Sequence, residues 1–191
     1  MNRAVEFIPK RIAGERQPWL RFGSTKSEYQ RWIPEVCGIC CLKMIGDTLN
    51  KTDELSLYLL TLRCLERGGF RILESGKIEG IFHRPLLKLA QEVGLQGEVK
   101  GYIDNDLIVE SVKNDRFVIL SIDLMRATHS IAGSHLILIH GYDLSTEEFV
   151  FHDPSQIIDE VGRNARISQY HLEEISNKKG LIIWEGGEKV G

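Results

Sequence analysis

Three of the four cysteines, Cys37, Cys40 and Cys41, fall within five positions of the stretch WIPEVCGICCLKMI (32–45). Thiols grouped this way permit four chemistries. Cys37-Gly-Ile-Cys40 has the spacing of a dithiol redox pair, in which a helix start lowers the pKa of the first sulfur. That motif normally follows a buried strand early in a βαβ unit, whereas YQRWIPEV carries charge and is interrupted by Pro34. A structural zinc site needs four ligands. Cys37 and Cys40 would supply two, but no second pair follows at finger-like spacing, since His135 and His140 share one strand-like segment. Burial as small hydrophobes suits Cys41 and Cys64, and Cys40 fits packing better than reaction. For Cys37, packing stands beside the fourth chemistry, nucleophilic attack, because a helix's first turn stabilises a thiolate through unpaired N–H groups and the positive dipole end.

A nucleophilic thiolate needs a base, and the base needs an orienting group. His135 in AGSHLILIHGYD and Asp153 in FVFHDPS stand at strand-like positions downstream. Side chains alternate along a strand, so His135 and His140 should face opposite sides of a sheet, as should His152 and Asp153. His135 and His140 are thus not expected to share one site; His135 is the candidate base, with His140, His129 and His152 as alternatives. Asp153 is the candidate orienter, or else only a turn former before Pro154. Tyr29 and Trp32 would line a cleft near Cys37 or sit in the core.

These residues must be positioned by the elements around them. Apolar residues at three- and four-residue steps predict a helix from Cys37 to about Leu49. A second is expected from about Asp53 to Arg67, with acids in its first turn and Gly68-Gly69 as its stop. RPLLKLAQEVGL reads as a third, with Pro85 at its first position. DNDLIVESVKN reads as a fourth, opened by Asp104 or Asn105. The grammar then changes. Segments 116–123, 134–143, 148–153 and 180–184 are short, β-branched and aromatic, and bounded by turn residues, which are strand signals. LSTEE (144–148) has hairpin length, and 167–177 reads as a last short helix. Helices followed by a mainly antiparallel sheet make an α+β pattern. The first 30 residues read as loop or short pieces, so the expected organisation is an N-terminal extension, 1–29, before one two-lobed domain, 30–191.

Composition narrows the function classes. The chain has 191 residues, 42% of them apolar, enough for a sizeable core. A net charge of −3 with both signs interspersed gives no basic face for nucleic acid. No apolar run is long enough to span a bilayer, and the first residues contain no segment of signal-peptide length. A cytoplasmic protein with reduced thiols is the expectation.

In three ordered places the chain resembles the papain-like cysteine peptidases that cut bacteriocin leader peptides after a double glycine, together with their free-standing relatives. The family's Cys-Gly-x-Ala-Cys-Leu-x-Met pattern is similar to Cys37-Gly38-Ile39-Cys40-Cys41-Leu42-Lys43-Met44, with Cys40 in the alanine place. Its histidine strand ending in Gly-Tyr resembles His135 to Tyr142, and its Asp-Pro pair resembles Asp153-Pro154. The resemblance spans roughly residues 30 to 184. It implies a papain-like α+β fold, a peptide or protein substrate, no metal and no organic cofactor. It further implies Cys37 as nucleophile, His135 as base and then acid, and Asp153 as orienter. An acyltransferase or transpeptidase on the same triad, or a silent peptide-binding module, would carry the same motifs. The family's oxyanion-hole glutamine stands six residues before the nucleophile. Here that position is Arg31, and Gln30, seven before, is the candidate donor. The residue just before the nucleophile, commonly acidic in the family, is Val36, with Glu35 one further back.

Overall fold

The computed structural model describes residues 4–187. In chain order the elements are α1 (Pro18–Phe22), α2 (Lys26–Trp32), α3 (Cys37–Thr48), α4 (Leu57–Glu66), β1 (Phe70–Ile72), β2 (Ile78–Gly80), α5 (His83–Glu92), β3 (Leu95–Lys100), α6 (Asn105–Lys113), β4 (Phe117–Asp123), α7 (Leu124–Thr128), β5 (Ser134–Asp143), β6 (Glu148–His152), β7 (Ala165–Ser168), α8 (Gln169–Ile175) and β8 (Ser176–Glu185). Six strands form one sheet in the order β3-β8-β4-β5-β6-β7, and every neighbouring pair is antiparallel. β1 and β2 make a separate hairpin within the helical half.

Alternation along the central strands explains the layering. In β5, Leu136 and Leu138 enter a core shared with α3, α4 and α5, while Ile137 and Ile139 enter a second core with α6 and α8. Phe117 and Ile119 of β4 join the first core, and Val118, Leu120 and Ile122 the second. Both faces of these strands are covered, so they read as near-continuous apolar runs rather than as an apolar/polar alternation. Cys41 anchors α3 to this sheet, its thiol donating to the Leu136 carbonyl at 3.7 Å.

Several boundaries differ from the sequence expectation, each for a local reason. α4 starts at Leu57 rather than near Asp53, because the Ser56 hydroxyl accepts from the Leu59 N–H at 3.1 Å and caps the helix there. Pro85 is the third residue of α5, not the first; N–H groups of the opening turn have no helical partner, so its missing donor costs nothing there. Asp104 caps α6 by accepting from the Leu107 N–H at 2.9 Å. The 144–147 connection between β5 and β6 is closed by Asp143, which accepts from the Ser145 N–H and hydroxyl. The polar opening of the chain contains two helices, α1 and α2. Thr25 caps α2, and Arg21 donates to the carbonyls of Pro9 and Lys10. Val5, Phe22 and Tyr29 lie in the first core. Among the described residues no helix is long and apolar enough to cross a membrane.

One close crossing has no tolerance for a side chain. A Cβ at Gly180 would stand 2.1 Å from the Ile119 carbonyl oxygen, where β8 and β4 pair. Gly180→Ala should destabilise the fold by about 1–3 kcal/mol or more, whereas Gly101→Ala, in open space, should shift stability by under about 0.5 kcal/mol. Denaturant unfolding of the two variants measures the difference.

Candidate active site

Three of the sequence-selected side chains come together where the N-terminus of α3 meets the start of β5. Cys37 is the first residue of α3, after Val36, which offers no side-chain cap. The opening N–H groups of the helix are therefore free to face a negative charge at or near the sulfur. His135 is the second residue of β5, and Asp153 follows β6 directly. The His135 Nε2–H donates to Asp153 Oδ1 at 2.7 Å, and both side chains are essentially excluded from solvent. Nδ1 remains as the ring nitrogen available to Cys37.

Asp153 is held from all sides. Its Oδ1 also accepts from the Ser155 N–H at 2.9 Å, and its Oδ2 accepts from the N–H groups of Ile157 and Ile158 at 2.7 and 2.8 Å. Its carboxylate thus organises the turn through Pro154 while also binding the imidazole. Burial raises the carboxyl pKa, but the His135 hydrogen bond and charge, with these backbone donors, bring it below the ordinary value.

The same balance sets the other two groups. Burial pushes the Cys37 thiol up, but the neighbouring His135 imidazole and its charge, the Lys10 ammonium and the Leu136 N–H together bring it below the ordinary thiol value. Burial would depress His135, yet Asp153 and Cys37 raise it to about 9. The direction on both sides favours a thiolate–imidazolium pair whose protons titrate jointly. Lys10 is fixed above this corner. Its ammonium donates to the Pro34 carbonyl at 2.8 Å and its backbone N–H to the Pro154 carbonyl at 2.7 Å, linking the turn before Cys37 to the turn after Asp153. The neighbouring thiols behave differently: burial lifts Cys40 and Cys64 to about 12 and Cys41 well above the usual range. Those three pack as core.

Other candidates lie elsewhere. Gln30, the candidate oxyanion donor, is exposed and does not line the cleft beside Cys37. Tyr29, Trp32 and Ile33 point inward from α2, so positions 30 and 31 turn outward at 100° per residue. Gln30 accordingly lines a separate depression with Arg11, Glu15 and Tyr29. Trp32 is core: it packs edge-on against Phe70 at 5.2 Å, and its indole N–H donates to Glu28. His129 is an exposed left-handed cap on α7. His140 and His152 stack on each other at 4.3 Å, on the strand face that parity assigns them. The His152 Nε2–H donates to the Val5 carbonyl and its Nδ1 accepts from the Asn164 N–H, so its ring is neutral. His140 has no partner at either ring nitrogen among the described residues, and burial, with His152 beside it, lowers it to about 3.

Beside Cys37 opens a cleft of about 430 Å³. The hairpin end at Gly80, the start of α5, and residues of β4, β5 and β8 border it. His83, Ser121, Ser134 and Lys179 face this cleft and escaped the sequence reading. They come from four separate elements, and no local spacing links them.

A six-stranded antiparallel sheet with helices on both faces, and a cysteine opening a helix toward a sheet-borne histidine, defines the class: a papain-like α+β fold of the cysteine peptidase type. The chain belongs to the Peptidase_C39 like family, whose model matches residues 25–176. Among solved structures it is similar to a double-glycine-motif protease from an AMS/PCAT transporter, crystallised in complex with the leader peptide. That similarity has 15% identity and a TM-score of 0.53, covering 96% of this chain and 94% of that one. A proposed C39-like peptidase from Bacillus anthracis is 14% identical, with a TM-score of 0.57 over 81% of this chain and 90% of that one. The peptidase domain of Streptococcus ComA, a bi-functional ABC transporter involved in quorum sensing, is 14% identical, with a TM-score of 0.52 over 81% and 93%. No curated protein sequence matches the chain.

Two measurements follow from the ionisation pattern. Iodoacetamide at pH about 6, read by intact mass and peptide mapping, should label Cys37 well ahead of Cys40, Cys41 and Cys64. His135→Ala should slow that labelling about tenfold for each unit by which the thiol rises. Stability should fall as pH drops from about 6.5 toward 3, because the unfolded chain protonates His140 near 6.5 while the folded ring stays neutral to about 3. Replacing the ring in His140→Phe should remove about one proton's slope, about 1.4 kcal/mol per pH unit, from that acid limb in pH-dependent unfolding.

Proposed function

We propose that the protein is a cysteine peptidase that hydrolyses a peptide bond through Cys37, His135 and Asp153. The observation that carries this reading is the His135 ring held between a fully buried Asp153 carboxylate and the sulfur at the N-terminus of α3. Membership of a peptidase-like family supports it, and the leader peptide bound to a structural relative supports a peptide substrate.

In this mechanism the Cys37 thiolate attacks the carbonyl carbon of the scissile bond, forming a carbon–sulfur bond and an oxyanion. The Cys37 N–H and the positive end of α3 face that oxygen. Donors of this kind act at full strength only because they are already oriented when charge develops. The imidazolium of His135 passes its proton to the leaving nitrogen as the carbon–nitrogen bond breaks, leaving a thioester. Water then attacks the thioester carbon and gives a proton to His135, and the thiolate departs with the acid product. Asp153 holds the ring in the required tautomer and stabilises its charged form throughout.

Cys37→Ala should abolish hydrolysis of any peptide that the wild type cuts in a library profile, and retained turnover would remove the reading. Asp153→Asn should lower kcat by roughly 10²- to 10⁴-fold. The pH profile of kcat/KM should be a bell. It falls at low pH as the thiolate protonates, and above about 9 as His135 loses its proton.

A further inference from the structure

The wall of the cleft beside Cys37 carries cations and no acid. Of its eleven lining residues, three are basic, His83, Arg84 and Lys179, and none is Asp or Glu. Lys179 and Arg84 form no ion pair among the described residues, whereas the neighbouring Lys178 is paired with Glu173 at 2.6 Å. A backbone irregularity is what brings Lys179 here. β4 and β8 pair at Leu120–Gly180 and again at Ile122–Ser176, so Asn177, Lys178 and Lys179 stand opposite the single residue Ser121. The excess chain bulges at the cleft instead of continuing the ladder.

Hydroxyl donors converge on the same space. The Ser121 side chain is almost wholly buried and lines the cleft. Its oxygen accepts from Asn177 Nδ2 at 3.1 Å, and the Ser134 oxygen accepts from the same amide at 3.3 Å. Neither hydroxyl donates its own proton within the described residues. The ten-residue helix α5 opens at this wall behind Phe82, which supplies no side-chain cap, so its first-turn N–H groups add positive potential. Lys179 also acts on His83, which burial and that neighbouring charge keep mainly neutral. Two free cations, two unspent hydroxyl donors and a helix N-terminus together match a carboxylate, which accepts hydrogen bonds and offers none.

We propose that this cleft binds an acidic side chain, Asp or Glu, of the peptide presented to Cys37, and that Lys179 and Arg84 determine this specificity. The proposal rests on the peptidase reading for the identity of the ligand as a peptide. Because Cys37 itself borders the cleft and an extended peptide advances about 3.3 Å per residue, the acidic residue lies within about two positions of the bond attacked. The apolar part of the wall, Ile81, Phe82, Pro85 and Leu136, packs the methylene stem while the charge reaches the far side.

Matched peptides carrying Glu, Gln, Leu or Lys at each of the two positions on either side of the bond provide the test, read in two ways. In turnover, one position should prefer Glu over Gln by about tenfold or more in kcat/KM. That preference should shrink as salt is raised and reverse toward Lys in Lys179→Glu and in Arg84→Glu. In binding, fluorescence polarisation with the Cys37→Ala protein should rank the same peptides in the same order without any chemistry. If no peptide is cut but the acidic ones still bind best and the charge reversals invert the ranking, the peptidase reading fails and the pocket stands. Cleavage with no acidic preference, equal or absent binding of acidic and neutral peptides, or a preference unmoved by both charge reversals overturns the pocket proposal.

Discussion

The hydrogen bond from His135 to Asp153 is the constraint on which the rest of this molecule turns. A carboxylate fully removed from water is expensive unless its oxygens are satisfied. Here two oxygens receive four donors, three of them backbone N–H groups of one turn. That arrangement fixes the conformation of residues 153–158 and the orientation of the imidazole. An oriented imidazole in turn offsets the burial of the Cys37 thiol and reverses the direction of its shift. The ionisation of the sulfur is thus decided by a loop more than a hundred residues further along the chain.

Around that corner the fold separates a thiol with a lowered pKa from thiols with raised ones by position alone. Cys37, Cys40 and Cys41 are neighbours on one helix, and all are buried. Only Cys37 occupies the helix terminus within reach of His135. Cys40 faces the core and Cys41 meets a strand carbonyl, and burial outweighs every other influence and raises both. The same contrast separates the histidines. His135 has an acid on one side and a thiol on the other and rises. His140 has another imidazole beside it and no hydrogen-bond partner among the described residues, and falls.

The N-terminal segment also serves the site. Lys10 joins the turn before Cys37 to the turn after Asp153, and Val5 accepts from His152, while Arg21 holds the carbonyls of Pro9 and Lys10. The segment spans the junction between the helical layer and the sheet.

By itself the sequence determined the kinds of element and the order of the chemistry. The three- and four-residue spacing after Cys37 is a local helical period, and the β-branched segments 116–123 and 134–143, bounded by turn residues, are local strand signals. Parity separated His135 from His140 onto opposite faces, and the motif around His135 favoured it as the candidate base. Short or polar elements, β1, β2, β3 and β7, were not legible, since three to six residues without a period leave no signal. The chain alone also left Tyr29, Trp32 and Gln30 undecided. Tertiary structure set their places, through the rotation of α2 that buries Tyr29 and Trp32 and leaves Gln30 exposed at a separate depression. It decided as well which side chains surround the cleft. Lys179 joins Ser121, Ser134 and His83 at one wall because β4 and β8 slip in register there, and pairing across distant strands is written in no stretch of sequence short enough to read.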